Sequence, residues 1–108
     1  MKNDMENVNS SIQGLVEKVY RIICSHVDPK EFEIFLFGSW ANGTAKNYSD
    51  IDIGILGKCK VDNGVMIRIQ AELEEVNTLY KIDIVDFSEN TDNKFKEIAL
   101  KHRTILHD

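Results

Sequence analysis

Leu36-Phe37-Gly38-Ser39-Trp40-Ala41-Asn42-Gly43-Thr44-Ala45-Lys46-Asn47-Tyr48-Ser49-Asp50-Ile51-Asp52-Ile53-Gly54-Ile55 decides how this chain is read. An apolar, strand-like run stops at Gly38-Ser39, and ten residues later Asp50-Ile51-Asp52 opens a second apolar run. A glycine-serine turn after a strand offers backbone N–H groups to phosphate oxygens, and a short helix beginning there directs its positive end at an anion. Gly38 allows that approach because no Cβ stands in the way. Asp50 and Asp52 lie two residues apart on a strand, so they share one face at about 7 Å between Cα atoms. Two like charges so placed repel, by about 1 kcal/mol at 4 Å in water and more in a drier cleft. A divalent cation removes that penalty, and magnesium favours a few carboxylates completed by water and substrate phosphates. Alone, an Asp-x-Asp pair is more readily a solvated strand start. Joined to Gly38-Ser39 it points to phosphoryl chemistry on a nucleoside triphosphate.

Working outward, the flanking segments predict an α/β (α+β) domain with a small mixed sheet packed against helices. Ile12, Leu15, Val16, Val19, Ile22 and Ile23 recur at helical spacing over about 10–27. Ser10 with Gln13 forms a candidate capping box at its start, and Asp28-Pro29 ends it. Phe32–Phe37 has almost no polar side and reads as a strand buried on both faces. A second strand is expected over 51–56. A second helix follows Asp62-Asn63-Gly64, with Val65, Ile69, Leu73, Val76 and Tyr80 on one face. A third strand is expected over 82–87. Phe95, Ile98, Ala99, His102, Ile105 and Leu106 then form the apolar stripe of a last helix, capped by Thr91 or Asp92. The first nine residues read as a flexible N-terminus.

The strand–helix–strand unit implies parallel strands. If the first strand runs antiparallel to the second, one sheet edge collects Gly38, Ser39, Asp50, Asp52 and Asp83. Ile82 and Ile84 face the core, which leaves Asp83 on the face of Asp50 and Asp52 and puts Asp86 on the other. Asp83 then completes a metal site and accepts the proton of an attacking hydroxyl.

Composition narrows the field further. The 108 residues fit one domain, 1–108, and no run is long and apolar enough to span a bilayer. A net charge of −5 lacks the basic footprint of direct nucleic-acid binding. Cys24 and Cys59 match neither CxxC nor zinc spacing, and with no signal-peptide core they read as reduced thiols of a cytoplasmic protein. No lysine precedes Thr44 in Gly38-x4-Gly43-Thr44, so a P-loop is not expected. Trp40 reads as loop packing or as a flank for a nucleotide; Lys46, Lys58 and Arg68 as surface cations; His102 as a core or interface histidine. His26 and His107 carry no signal.

Gly-Ser-x10-Asp-x-Asp followed by a strand Asp resembles the nucleotidyltransferase superfamily related to DNA polymerase beta. At this length the chain is similar to its minimal nucleotidyltransferase branch, whose members pair with HEPN proteins. The resemblance implies the polymerase beta-like fold and in-line attack by a hydroxyl on the α-phosphorus of ATP, with release of pyrophosphate. It implies that Gly38 and Ser39 hold the triphosphate, that Asp50 and Asp52 hold two magnesium ions, and that Asp83 completes the coordination and acts as base. It further implies an antitoxin that adenylylates a helical HEPN toxin beside it, since so small a core leaves little surface for an acceptor; homo- or hetero-oligomers fit this reading. The other reading is a non-catalytic binding module that neutralises or assists its partner by occlusion. Asn42 stands where many relatives carry Arg or Lys, so an amide replaces a cation there.

Overall fold

A computed structural model describes residues 4–88 and 93–107. A 3-10 turn, Asp4–Asn7, precedes α1 (Gln13–Cys24), β1 (Phe32–Phe37), α2 (Ser39–Asn42), β2 (Ile51–Gly57), α3 (Asn63–Glu74), β3 (Ile82–Asp86), α4 (Asn93–Lys101) and β4 (Thr104–Leu106). The sheet order is β3-β2-β1-β4, with β2 and β3 parallel and β1 antiparallel to both β2 and β4. This is the mixed α/β sheet that the sequence predicts.

Strand alternation sorts the core into two faces. Ile34 and Leu36 of β1 and Ile51, Ile53 and Ile55 of β2 pack with Val16, Val19 and Ile23 of α1 and Ile69 and Leu73 of α3. On the opposite face Phe35, Phe37 and Phe87 cluster beneath Ala99 of α4. Gly54 pairs with Phe35 across β2 and β1, and a Cβ at Gly54 would strike the Phe35 ring. The bare strand there lets the ring lie flat on the sheet and meet Phe87 at 5.8 Å.

Four local expectations are corrected. Met5 and Val8 are buried against the core, so the flexible N-terminus gives way over residues 4–9; residues 1–3 lie outside the described ones. No capping box forms at Ser10. Gln13 Nε2 instead donates to the Met5 carbonyl at 2.9 Å, and Asn9 Oδ1 accepts from the Ser11 N–H and hydroxyl. Helix α1 ends at Cys24, ahead of Asp28-Pro29, where the Ser25 N–H and hydroxyl bond the Ile22 carbonyl. Helix α3 stops at Glu74, which leaves Tyr80 in the following loop, where its ring meets Trp40 and Tyr48.

The largest difference is at the C-terminus. The last apolar stripe is broken at Arg103, and Thr104–Leu106 forms a fourth strand on the free edge of β1. Arg103 Nη1 donates to the Leu100 carbonyl at 2.8 Å and its Nε meets Glu33 Oε2 at 2.6 Å, which turns the chain out of the helix. Two β-branched residues then satisfy the edge of β1, and tertiary pairing overrides helical spacing. The predicted caps Thr91 and Asp92 lie outside the described residues.

Candidate active site

Strand β1 leads directly into the turn that shapes the site. Gly38 takes φ 73° and ψ −153°, a conformation that L side chains rarely adopt. A Cβ on Gly38 would overlap the Asp52 carboxylate, so this carboxylate lies against bare backbone. The Gly38 carbonyl accepts from the Ala41 and Asn42 N–H groups, which begins α2 with Ser39 as its first residue. Gly43, left-handed at φ 85°, closes the turn. The return loop is held by Trp40 Nε1, which donates to the Ser49 carbonyl at 2.9 Å, and by the Lys46 N–H on the Ser49 hydroxyl. Trp40 therefore packs under the loop, and that loop delivers Asp50 to the start of β2.

Register places the acids. Asp52 lies opposite Phe37 of β1 and opposite Asp83 of β3. Cross-strand partners share a face, so Asp52 and Asp83 stand side by side, with Asp50 at the same end of β2. Burial first, and then the negative charges of Asp83 and Asp50, together push the Asp52 carboxyl up to about 6 from an ordinary 3.8, against the opposing charge of Lys81. The Lys81 ammonium stands 3.9 Å from Asp83. Asp86 is otherwise engaged, on the other face. Its Oδ2 accepts from the Val61 N–H at 2.7 Å and its Oδ1 from the Ser88 N–H at 2.9 Å. The structure thus brings Gly38, Asp50, Asp52 and Asp83 together and leaves Asp86 to hold loops.

Hard oxygen donors under mutual repulsion fit magnesium in kind. Among the described residues no group of three or more His, Cys, Asp or Glu side chains forms a metal site by itself. A cation among these acids would draw its remaining ligands from water and phosphate, which is magnesium's habit.

A cleft of about 450 Å³ opens over Asp52 and Asp83. Gly38, Asn42, Asp52 and Asp83 line one part of it, and Phe95, Ile98 and His102 of the α4 segment line the other. Sequence reasoning assigned these three to a core or interface stripe. Their usable signal is position: they follow the strand that carries Asp83 and return over its face. His102 is exposed rather than core. Lys46, Lys58 and Arg68 are exposed and line none of this cleft. No helix among the described residues is long and apolar enough to cross a membrane.

Comparison with known proteins agrees with this geometry. The family described as Polymerase beta, Nucleotidyltransferase matches residues 17–108. The probable protein adenylyltransferase MntA of Haemophilus influenzae is 27% identical over 78 residues, 72% of this chain and 68% of that protein. A crystal structure of a toxin–antitoxin with AMP-PNP is similar with a TM-score of 0.64 and 25% identity, over 84% of this chain and 71% of that one. A complex of a tri-AMPylated Shewanella oneidensis HEPN toxin with MNT antitoxin shares the fold, with a TM-score of 0.60 and 23% identity over 84% of this chain and 67% of that one. With the family match spanning most of the chain and the acids aligned on one sheet face, this chain belongs to the polymerase beta nucleotidyltransferase family.

Proposed function

We infer that this protein transfers AMP from ATP to a hydroxyl of a helical HEPN-type toxin, and so acts as the antitoxin of a pair in the cytoplasm. The observation that carries this reading is the Asp52–Asp83 pair against Gly38, a concentration of negative charge that raises the proton affinity of Asp52. Support comes also from the adenylyltransferase name of the Haemophilus relative and from the AMP-PNP of the similar complex.

In this reading the Gly38-Ser39 turn holds the triphosphate, with the Ser39 hydroxyl as donor and the bare backbone of Gly38 letting the Asp52 carboxylate stand against the turn. Asp50, Asp52 and Asp83 are the residues that would hold magnesium, which when bound neutralises their charge and polarises the phosphate. Asp83 takes the proton of the acceptor hydroxyl as its oxygen bonds the α-phosphorus, and pyrophosphate leaves with the bonding electron pair. Close positioning of acceptor oxygen and phosphorus falls to the partner, which must cover this sheet edge.

Co-purification with the partner, incubation with ATP and magnesium, and intact-mass spectrometry test the reading. Each transferred AMP adds about 329 Da to the partner. Asp83→Asn is expected to bind the partner and leave its mass unchanged; transfer by Asp83→Asn at the wild-type rate would overturn the role of Asp83. The second reading, occlusion without transfer, is favoured by Asn42, an amide in the cleft whose Oδ1 already accepts from the Thr44 N–H and hydroxyl. Under occlusion, Asp50→Asn/Asp52→Asn protein still suppresses the partner fully.

A further inference from the structure

We propose that the exposed apolar side of α4, Phe95 and Ile98 with His102 beyond it, is the seat of the nucleoside half of the nucleotide. This rests on the transferase reading and extends it to substrate recognition. Ile98 is 61% exposed and Phe95 47%, two large apolar side chains three residues apart on one helix. They border the cleft that contains Asp52, Asp83 and Gly38. One continuous cavity therefore carries acids and bare backbone in one part and an apolar wall in the other.

Covalent connectivity selects the occupant. The α-phosphorus must lie at the carboxylates for transfer, and the nucleoside hangs from it by a single ester link. The nucleoside thus occupies space adjoining Asp52 and Asp83. A second groove also reaches Asp83, along the open side of β3 between Gln70, Glu74, Thr78 and Lys81, but Gly38 and Asp52 take no part in it. A ligand with phosphates at Gly38 fits the α4 cleft and leaves the β3 groove to the incoming acceptor. The cleft's 450 Å³ lies within the usual range for small-molecule sites, about 300–1,000 Å³. The Phe95 ring is steadied by Phe37 at 6.2 Å and Phe87 at 5.4 Å, so the wall is pre-formed. His102 adds a hydrogen-bonding group beside it.

Calorimetry on the whole chain in magnesium, with AMP-PNP and separately with inorganic tripolyphosphate, tests the placement. Ile98→Asn, at an exposed site, is expected to weaken AMP-PNP about tenfold while tripolyphosphate binds as in wild type. Phe95→Leu, which keeps an apolar side chain against Phe37 and Phe87, acts in the same direction. Ile67→Asn, an equally exposed isoleucine on α3, changes neither affinity. Unchanged AMP-PNP binding by Ile98→Asn, or equal losses for both ligands, overturns the nucleoside seat and leaves the transferase reading standing. A wild-type chain that binds neither ligand overturns both.

Discussion

Replacing Asp52 by Asn is expected to make the ligand-free fold more stable while ending its activity. The carboxyl binds its proton at about 6 in the folded chain against 3.8 ordinarily. Because the folded value is the higher one, the ionised group opposes folding: the unfolded chain gives up the proton first as pH rises. The difference corresponds to about 3 kcal/mol at neutral pH, and solvent around this half-buried side chain reduces it to about 1–1.5 kcal/mol. For a domain of this size that is a rise in Tm of roughly 5–8 °C for Asp52→Asn at pH 7. The sign fixes the pH dependence. Below 3.8 both proteins carry a neutral group and their stabilities converge; the gap opens between 3.8 and about 6 and is constant above. Paired thermal melts of wild type and Asp52→Asn across pH 3.5–8 (about that span) read the gap, because titration of the groups remote from Asp52 cancels. Magnesium with AMP-PNP then raises the wild-type Tm and not that of the variant, since only the native acids bind it. An Asp52→Asn protein less stable than wild type at pH 7, or a gap that widens on acidification, would refute the electrostatic account.

Three other substitutions separate architecture from chemistry. Gly38→Ala forces a Cβ onto the Asp52 carboxylate at a positive φ, so it should cost about 1–3 kcal/mol in denaturant melts and eliminate AMP transfer. Asp86→Ala strips the Val61 and Ser88 N–H groups of their acceptor and should cost about 1–3 kcal/mol in the same melts, with transfer retained under conditions where the chain is folded. Arg103→Ala breaks the link to Glu33 and the cap on Leu100, so a loss of about 2 kcal/mol is expected, with faster hydrogen exchange over Thr104–Leu106 than in the rest of the sheet.

The legible parts of this chain were those governed by short-range rules. The almost wholly apolar β1, the Asp-Asn-Gly start of α3 and the alternation of Ile82, Asp83 and Ile84 each carry their own signal, and they form as read. Asp83 could be preferred to Asp86 by parity alone, and the register opposite Asp52 agrees. What stayed illegible depended on distant partners. Thr104–Leu106 is helical by spacing but a strand by virtue of the vacant edge of β1, a condition absent from the local sequence. Gln13 leaves its capping role because the Met5 carbonyl, eight residues back, is within reach. The cleft wall of Phe95, Ile98 and His102 was hidden for a related reason: an apolar stripe does not say which of its members the core has room to cover.

Strand direction, more than any single residue, makes this edge of the sheet a candidate for catalysis. Gly38 follows the last residue of β1, whereas Asp52 stands near the first residue of β2 and Asp83 near the first of β3. Were β1 parallel to β2, the length of a strand would separate the turn from the acids, roughly 20 Å for six residues. The antiparallel pairing of Phe37 with Asp52 folds that distance to nothing, and the parallel pairing of β2 with β3 then aligns the two carboxylates. The same register that closes the hydrophobic core from Ile34 to Ile55 therefore compresses like charges against a glycine. Core packing holds together a charge cluster that would separate in a flexible chain, and an anionic substrate with its cation is what relieves it. On this account, substitutions that loosen the β1–β2 pairing, such as Ile53→Ala, lose fold stability by about 2–5 kcal/mol and nucleotide affinity together, whereas Asp52→Asn moves the two in opposite directions.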